Sequence, residues 1–129
     1  MESGYQEIVL TGIHISSYGI DRGSAELISL LEKLHEIKGL KRIRLGSLEP
    51  GIITEEFAGR LSGLGRVCPH FHLSLQSGCD ETLRRMNRRY TTGEYLKKVE
   101  ILRKFFDRPA ISTDGIVGFA GESVEEFAV

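Results

Sequence analysis

Apolar residues recur at two periods along this chain, and the switches between them mark out the elements. Tyr5 to Leu10 is a short β-rich run that stops at Thr11-Gly12-Ile13-His14, and Ser16, Ser17 and Gly19 prolong the break. From Ser24 the period becomes 3.6: Leu27, Leu30, Leu31, Leu34 and Ile37 share one face, Gly39 stops the run, and Ser24 is the predicted N-cap. Lys41 to Leu45 alternates again and runs into Gly46-Ser47-Leu48-Glu49-Pro50. Thr54, followed by Glu55 and Glu56, predicts the start of a second helix with Phe57 and Leu61 inward. A third strand over Phe71 to Leu75 leads to Gln76-Ser77-Gly78. A short helix then starts at Cys79 or Asp80, and a longer one carries Tyr95, Val99, Leu102 and Phe106. A fourth strand is expected over Ile111 to Val117, then a glycine-rich turn and the first turn of another helix.

Four strand-loop-helix units with amphipathic helices call for a parallel sheet, so the predicted class is α/β. The expected form is a partial, open (β/α) barrel fragment of about four parallel β-α units. In such a sheet the strand-to-helix loops share one face. That face would gather Gly12, His14, Ser47, Glu49, Gln76, Ser77 and the segment from Asp114 to Gly121.

Composition adds limits rather than direction. The chain has 129 residues and a formal net charge of −1, enough for one core and with no global field toward nucleic acid or a membrane. It has no membrane-span window and no basic-then-apolar start, which predicts a cytoplasmic protein with no membrane partner. Two cysteines, Cys68 and Cys79, offer no metal-site spacing and read as structural.

Each candidate site residue has a plain alternative. Gly12 can simply relieve backbone strain, and His14 can be a solvated loop residue. Glu49 is held extended by Pro50, or is a surface acid. Gln76 and Ser77 place an amide and a hydroxyl at a strand end where ribose hydroxyls could bind, or they belong to a turn. Arg84, Arg85, Arg88 and Arg89 could hold a carboxylate or polyanion, but they spread around a helix, so one or two at most can face a site. GIVGFAGES opens a helix but lacks the lysine of a phosphate loop.

Taken together, LTGIHISSYG, RIRLGSLEP, HFHLSLQSGCDETLRRMNRRYTT and STDGIVGFAGESVEEF resemble the central radical S-adenosylmethionine domain of the tRNA methylthiotransferases, over essentially the whole chain. TGIH with Glu49 before Pro50 is similar to the MtaB branch, which acts on threonylcarbamoyladenosine in tRNA. The isopentenyladenosine branch has Gly-Gln-Asn at the first loop and His in place of Glu49. The resemblance implies S-adenosylmethionine and iron–sulfur clusters as cofactors of the parent protein and tRNA as its substrate. It puts Gly12 and His14 near the methionine amino end or the base, Ser47 and Glu49 in the cavity wall, and Gln76 and Ser77 at the ribose. Ile116, Val117 and Gly118 would support the adenine, and one of Arg84, Arg85 or Arg89 would meet the methionine carboxylate.

The family's CxxxCxxC loop, its N-terminal cluster domain and its C-terminal RNA-binding domain find no counterpart here. Residues 1–129 are therefore expected to be a fragment whose partners are the missing domains of its own chain, and which is inactive alone. Gly115, where the family has Ile or Val, and Ala120, where it has Pro, depart from the pattern. The rival reading is a non-catalytic nucleotide- or RNA-binding α/β module; a sugar-phosphate isomerase-like barrel piece is a fold analogy only. Cut sheet edges would also favour self-association.

Overall fold

The computed structural model describes residues 4–23 and 26–129, and the predicted N-cap Ser24 lies outside them. Four short strands alternate with helices: β1 (Glu7–Leu10), α1 (Leu27–His35), β2 (Arg42–Leu45), α2 (Glu55–Ser62), β3 (His70–His72), α3 (Asp80–Arg85), α4 (Thr92–Phe105), β4 (Ala110–Ser112) and α5 (Val124–Phe127). The predicted order of units is the observed one. All pairing is parallel, with Ile8 opposite Ile43 in β1–β2 and Phe71 opposite Ile111 in β3–β4.

Two small sheets form where one continuous sheet was expected. Between β2 and β3 the backbone touches only through isolated parallel bridges, Ile43 to Val67 and Leu48 to Leu73. The Ile43 and Leu48 amides donate to the Arg66 and His72 carbonyls, so the strands stay aligned without a full ladder. Consequently the carboxyl ends of all four strands face one way.

β4 is shorter than the sequence suggested. Regular pairing with β3 lapses after Ser112 because the Leu75 amide donates to the Thr113 hydroxyl, at 2.9 Å, instead of to a backbone carbonyl. It resumes at a single bridge between Gln76 and Gly115, with Gln76 at φ 76°. A side-chain oxygen of the right reach competes with the ladder here, a contest that alternation alone cannot reveal.

The alternation along each strand decides where the core lies. Ile43, Leu45, Phe71 and Leu73 are buried on one face and meet Leu31, Phe57, Leu61, Val99 and Leu102 from α1, α2 and α4. Phe71 is fully buried and stands edge-on to Phe106, ring centres 4.9 Å apart. The other face carries Glu7, Arg42, Arg44, His70, His72 and Ser112. There the His72 ring bonds Ser112 at 3.0 Å and Asp114 at 3.1 Å, on a polar surface that no helix among the described residues covers.

Caps set the helix starts. Thr54 accepts the Phe57 amide, and Thr91 with Glu94 forms a reciprocal capping box at the start of α4, as Ser123 and Glu126 do for α5.

Candidate functional site

Four loops converge at the carboxyl ends of the strands, and they sort the predicted residues into two groups. The first surrounds His14 and Glu49. The break after β1 tightens into a single helical turn at Ile15–Ser17, which buries Ser16. The Ser16 hydroxyl accepts the Glu49 amide at 3.1 Å, and this fastens the β1 loop to the β2 loop. Pro50 keeps Glu49 extended, at ψ 141°, and the Glu49 carboxylate reaches His14 Nε2 at 3.0 Å. Both side chains remain about half exposed, so the pair is a polar rim rather than a buried ion pair.

These two residues line a cavity of about 380 Å³ with Met86, Asn87, Arg88, Arg89 and Tyr90, the link between α3 and α4. Asn87 turns that link by adopting φ 57°, a conformation that short polar side chains accept readily. Tyr90 pins it: its hydroxyl donates to the Ser74 carbonyl at 2.6 Å and lies 3.2 Å from that of Leu75. Burial pushes the Tyr90 phenol above its ordinary value, so it stays a donor across the neutral range.

The second group forms a cleft of about 140 Å³ between the ends of β3 and β4, lined by Gln76, Ser77, Gly115, Ile116 and Val117 and closed by α5. The Gln76 carbonyl accepts the Ile116 amide at 2.8 Å, while its side-chain amide makes no hydrogen bond among the described residues. Ser77 accepts the Cys79 amide at 3.1 Å, which leaves the hydroxyl hydrogen available to another partner. Gly118 has φ 72°, which only glycine adopts at no cost, and the Glu122 carboxylate fixes the turn by accepting the Gly118 and Phe119 amides. At Gly115 a side chain would meet nothing within 4 Å, so the fold does not demand glycine there.

The remaining predicted residues fall around these groups. Gly12 and Ser47 are exposed on their loops. A Cβ on Gly12 would crowd the Ile15 side chain at 3.1 Å. The arginines separate: Arg84 binds Glu81, Arg85 forks onto Glu126 and Thr82, and Arg88 and Arg89 reach the cavity. The Arg85 guanidinium holds the Glu126 carboxyl below its ordinary range. Ser16, Asn87 and Tyr90 escape sequence reasoning, since their importance lies in partners more than 10 residues away or in one backbone angle.

Among the described residues no group of three His, Cys, Asp or Glu side chains is placed to hold a metal ion. Both cysteines are free; Cys79 precedes α3, while Cys68 borders a cleft at the amino ends of the strands. No described helix is long and apolar enough to cross a membrane.

Parallel strands in an α/β chain, with amide, hydroxyl and charged groups gathered at their carboxyl ends, have the architecture in which α/β proteins generally place a ligand. Residues 2–129 match the Radical SAM superfamily, and the chain belongs to that family. It is 42% identical over 127 residues to the threonylcarbamoyladenosine tRNA methylthiotransferase MtaB of Chlamydia pneumoniae, covering 98% of this chain and 30% of the relative. It is 44% identical over 124 residues to the tRNA-2-methylthio-N(6)-dimethylallyladenosine synthase of Desulfosudis oleivorans, covering 96% and 27%. For the MtaB of Bacillus subtilis the identity is 40% over 128 residues, covering 98% and 28%. The chain thus spans less than a third of these relatives.

Proposed function

We propose that this chain supplies the S-adenosylmethionine-binding part of a tRNA methylthiotransferase, built on a partial (β/α) barrel. The observation that carries this reading is the cleft at Gln76, Ser77, Ile116 and Val117, which offers a free amide, a free hydroxyl hydrogen and exposed backbone side by side. Such a set suits a ribose and an adenine edge. S-adenosylmethionine, when bound, supplies the hydrogen-abstracting and methyl-donating chemistry.

The roles of this chain's own residues are to bind and orient. Gln76 and Ser77 hold the ribose hydroxyls, and the backbone at Ile116, Val117 and Gly118 meets the adenine. Arg89 faces the methionine carboxylate from the neighbouring cavity. Gly12 admits the methionine amino end, and Ser47, His14 and Glu49 line the wall. Among the described residues none form a cluster site; on this reading the ligands of the iron–sulfur clusters belong to the rest of the parent protein. Anaerobic reconstitution with iron and sulfide should leave the chain without a stoichiometric cluster absorbance, and one that appears would sink that part of the reading.

Both kinds of named relative match at similar identity, so the branch rests on the site. Met86 apart, the cavity lining is polar, and its Arg88 and Arg89 stand opposite a Glu49 carboxylate already held by His14, a setting that fits the carboxylate of a threonylcarbamoyl group better than a dimethylallyl hydrocarbon. This lining supports the threonylcarbamoyladenosine side. Calorimetric titration with S-adenosylmethionine tests the core claim: binding should weaken several-fold in Gln76→Ala, by about one hydrogen bond's worth. Equal affinity in the variant would refute the ribose assignment.

A further inference from the structure

Beside the His14–Glu49 cavity runs a second hollow of about 460 Å³, lined by Pro50, Arg89, Tyr90, Glu94, Lys97 and Lys98. Arg89 and Tyr90 belong to both, so the hollow opens directly onto the candidate site. Its cations are unlike most of the others in the molecule. Arg42, Arg44, Arg60, Arg84, Arg85 and Lys104 are all ion-paired with carboxylates. Among the described residues Arg89, Lys97 and Lys98 in the hollow, like Arg88 in the adjoining cavity, have no carboxylate within ion-pair distance.

The one acid in the hollow is already committed. Glu94 accepts the Thr91 amide at 2.7 Å and the Thr91 hydroxyl at 3.1 Å, and is thereby turned toward the start of its own helix. In a chain of net charge −1, three cations along one groove, none of them in an ion pair and only Glu94 among them to offset their charge, are a local concentration of positive charge. The other large basic hollow, at the amino ends of the strands, differs in this respect. There Arg42 and Arg44 are held by Glu7, Arg108 lies against Asp107 and Arg66 donates to backbone carbonyls, which leaves Lys41 as the one cation of that hollow without such a partner among the described residues.

We propose that this groove seats the phosphate backbone of single-stranded RNA next to the nucleotide delivered to the cavity, with Lys97 and Lys98 on one phosphate each and Arg89 at the junction. This deepens the tRNA reading above and rests on it for the identity of the RNA. Point-charge ammonium groups suit successive phosphates, and a loop of unstacked nucleotides can follow a groove that a duplex cannot.

The test is fluorescence anisotropy of the chain with a labelled tRNA anticodon stem-loop over a range of salt concentrations. Lys97→Glu with Lys98→Glu should weaken binding about tenfold or more at low salt. It should also flatten the slope of log affinity against log salt by roughly 1.4, the value for two single-strand phosphates. A charge-matched control at the amino ends of the strands, Lys38→Glu with Lys41→Glu, should leave the slope unchanged. Titration of the Lys97/Lys98 variant with S-adenosylmethionine should match the unaltered chain, which shows that it is folded and that the cleft is intact. Equal loss in the control pair, an unchanged slope in the groove variant, or tighter binding to phosphatidylserine vesicles than to the stem-loop would overturn the proposal. Failure of S-adenosylmethionine to bind the unaltered chain would strike the functional reading and leave the groove standing.

Discussion

At the scale of single residues the most informative is Gln76, which holds a left-handed backbone at the point where strand pairing resumes. Such a conformation costs a non-glycine residue about 1–2 kcal/mol and persists where surrounding contacts over-determine it. Here the Gln76 amide and carbonyl both bond to β4's continuation, at Asp114 and Ile116. Gln76→Gly should therefore be more stable than Gln76→Ala by about 1 kcal/mol, the reverse of the usual order, as read by urea denaturation. Both should bind S-adenosylmethionine equally poorly. Alanine as stable as glycine would mean that the backbone relaxes when the side chain is removed. The strain is invisible in the string Gln-Ser-Gly, where glycine two positions on is the residue one would choose for a left-handed turn.

Among elements, α4 depends most clearly on a local signal. Its capping box satisfies orphan amides at both Thr91 and Glu94, so Thr91→Ala should cost about 1 kcal/mol in chemical denaturation, whereas Thr92→Ala should cost much less. α5 is held differently, by the Arg85–Glu126 fork across 41 residues of sequence. Because the folded Glu126 pKa lies below its ordinary 4.5, the stabilisation is fully present above that value and is lost as pH falls through the folded pKa. Amide resonances of Val124–Phe127 followed by NMR as the pH falls from neutral into the acid range should report that release, and Glu126→Gln should reduce the pH dependence to what the neighbouring Glu125 contributes. Both capping boxes are readable as Thr/Ser-x-x-Glu, but the fork that anchors α5 is a tertiary contact.

For the molecule as a whole, one apolar layer beneath the helices carries the stability. Phe71→Ala removes a fully buried ring from between β3 and α4 and should cost about 3–5 kcal/mol, enough to unfold much of the population at ordinary temperature. The uncovered side has the opposite character: Val117, Val124, Phe127 and Val129 are 58–81% exposed near β4 and α5. Self-association through that margin is the expected consequence, and sedimentation velocity at rising concentration should show growth that Val117→Lys with Phe127→Lys reduces. A strictly monomeric chain at high concentration would count against it.

Sequence by itself determined the order and type of the elements, most of their inward residues and the Thr54 cap, although Ile37, expected on the inward face, lies past the end of α1 and is 39% exposed. These are short-range properties: period, capping spacing and glycine placement act within a few residues. Only the tertiary structure decided which candidates meet. It joined His14 to Glu49 across 35 positions, assigned Arg84 and Arg85 to carboxylates while leaving Arg88 and Arg89 in the cavity, divided the expected single sheet between β2 and β3, and shortened β4 where Thr113 intercepts a backbone amide. Those outcomes depend on distances between segments remote in the chain, which no local pattern encodes.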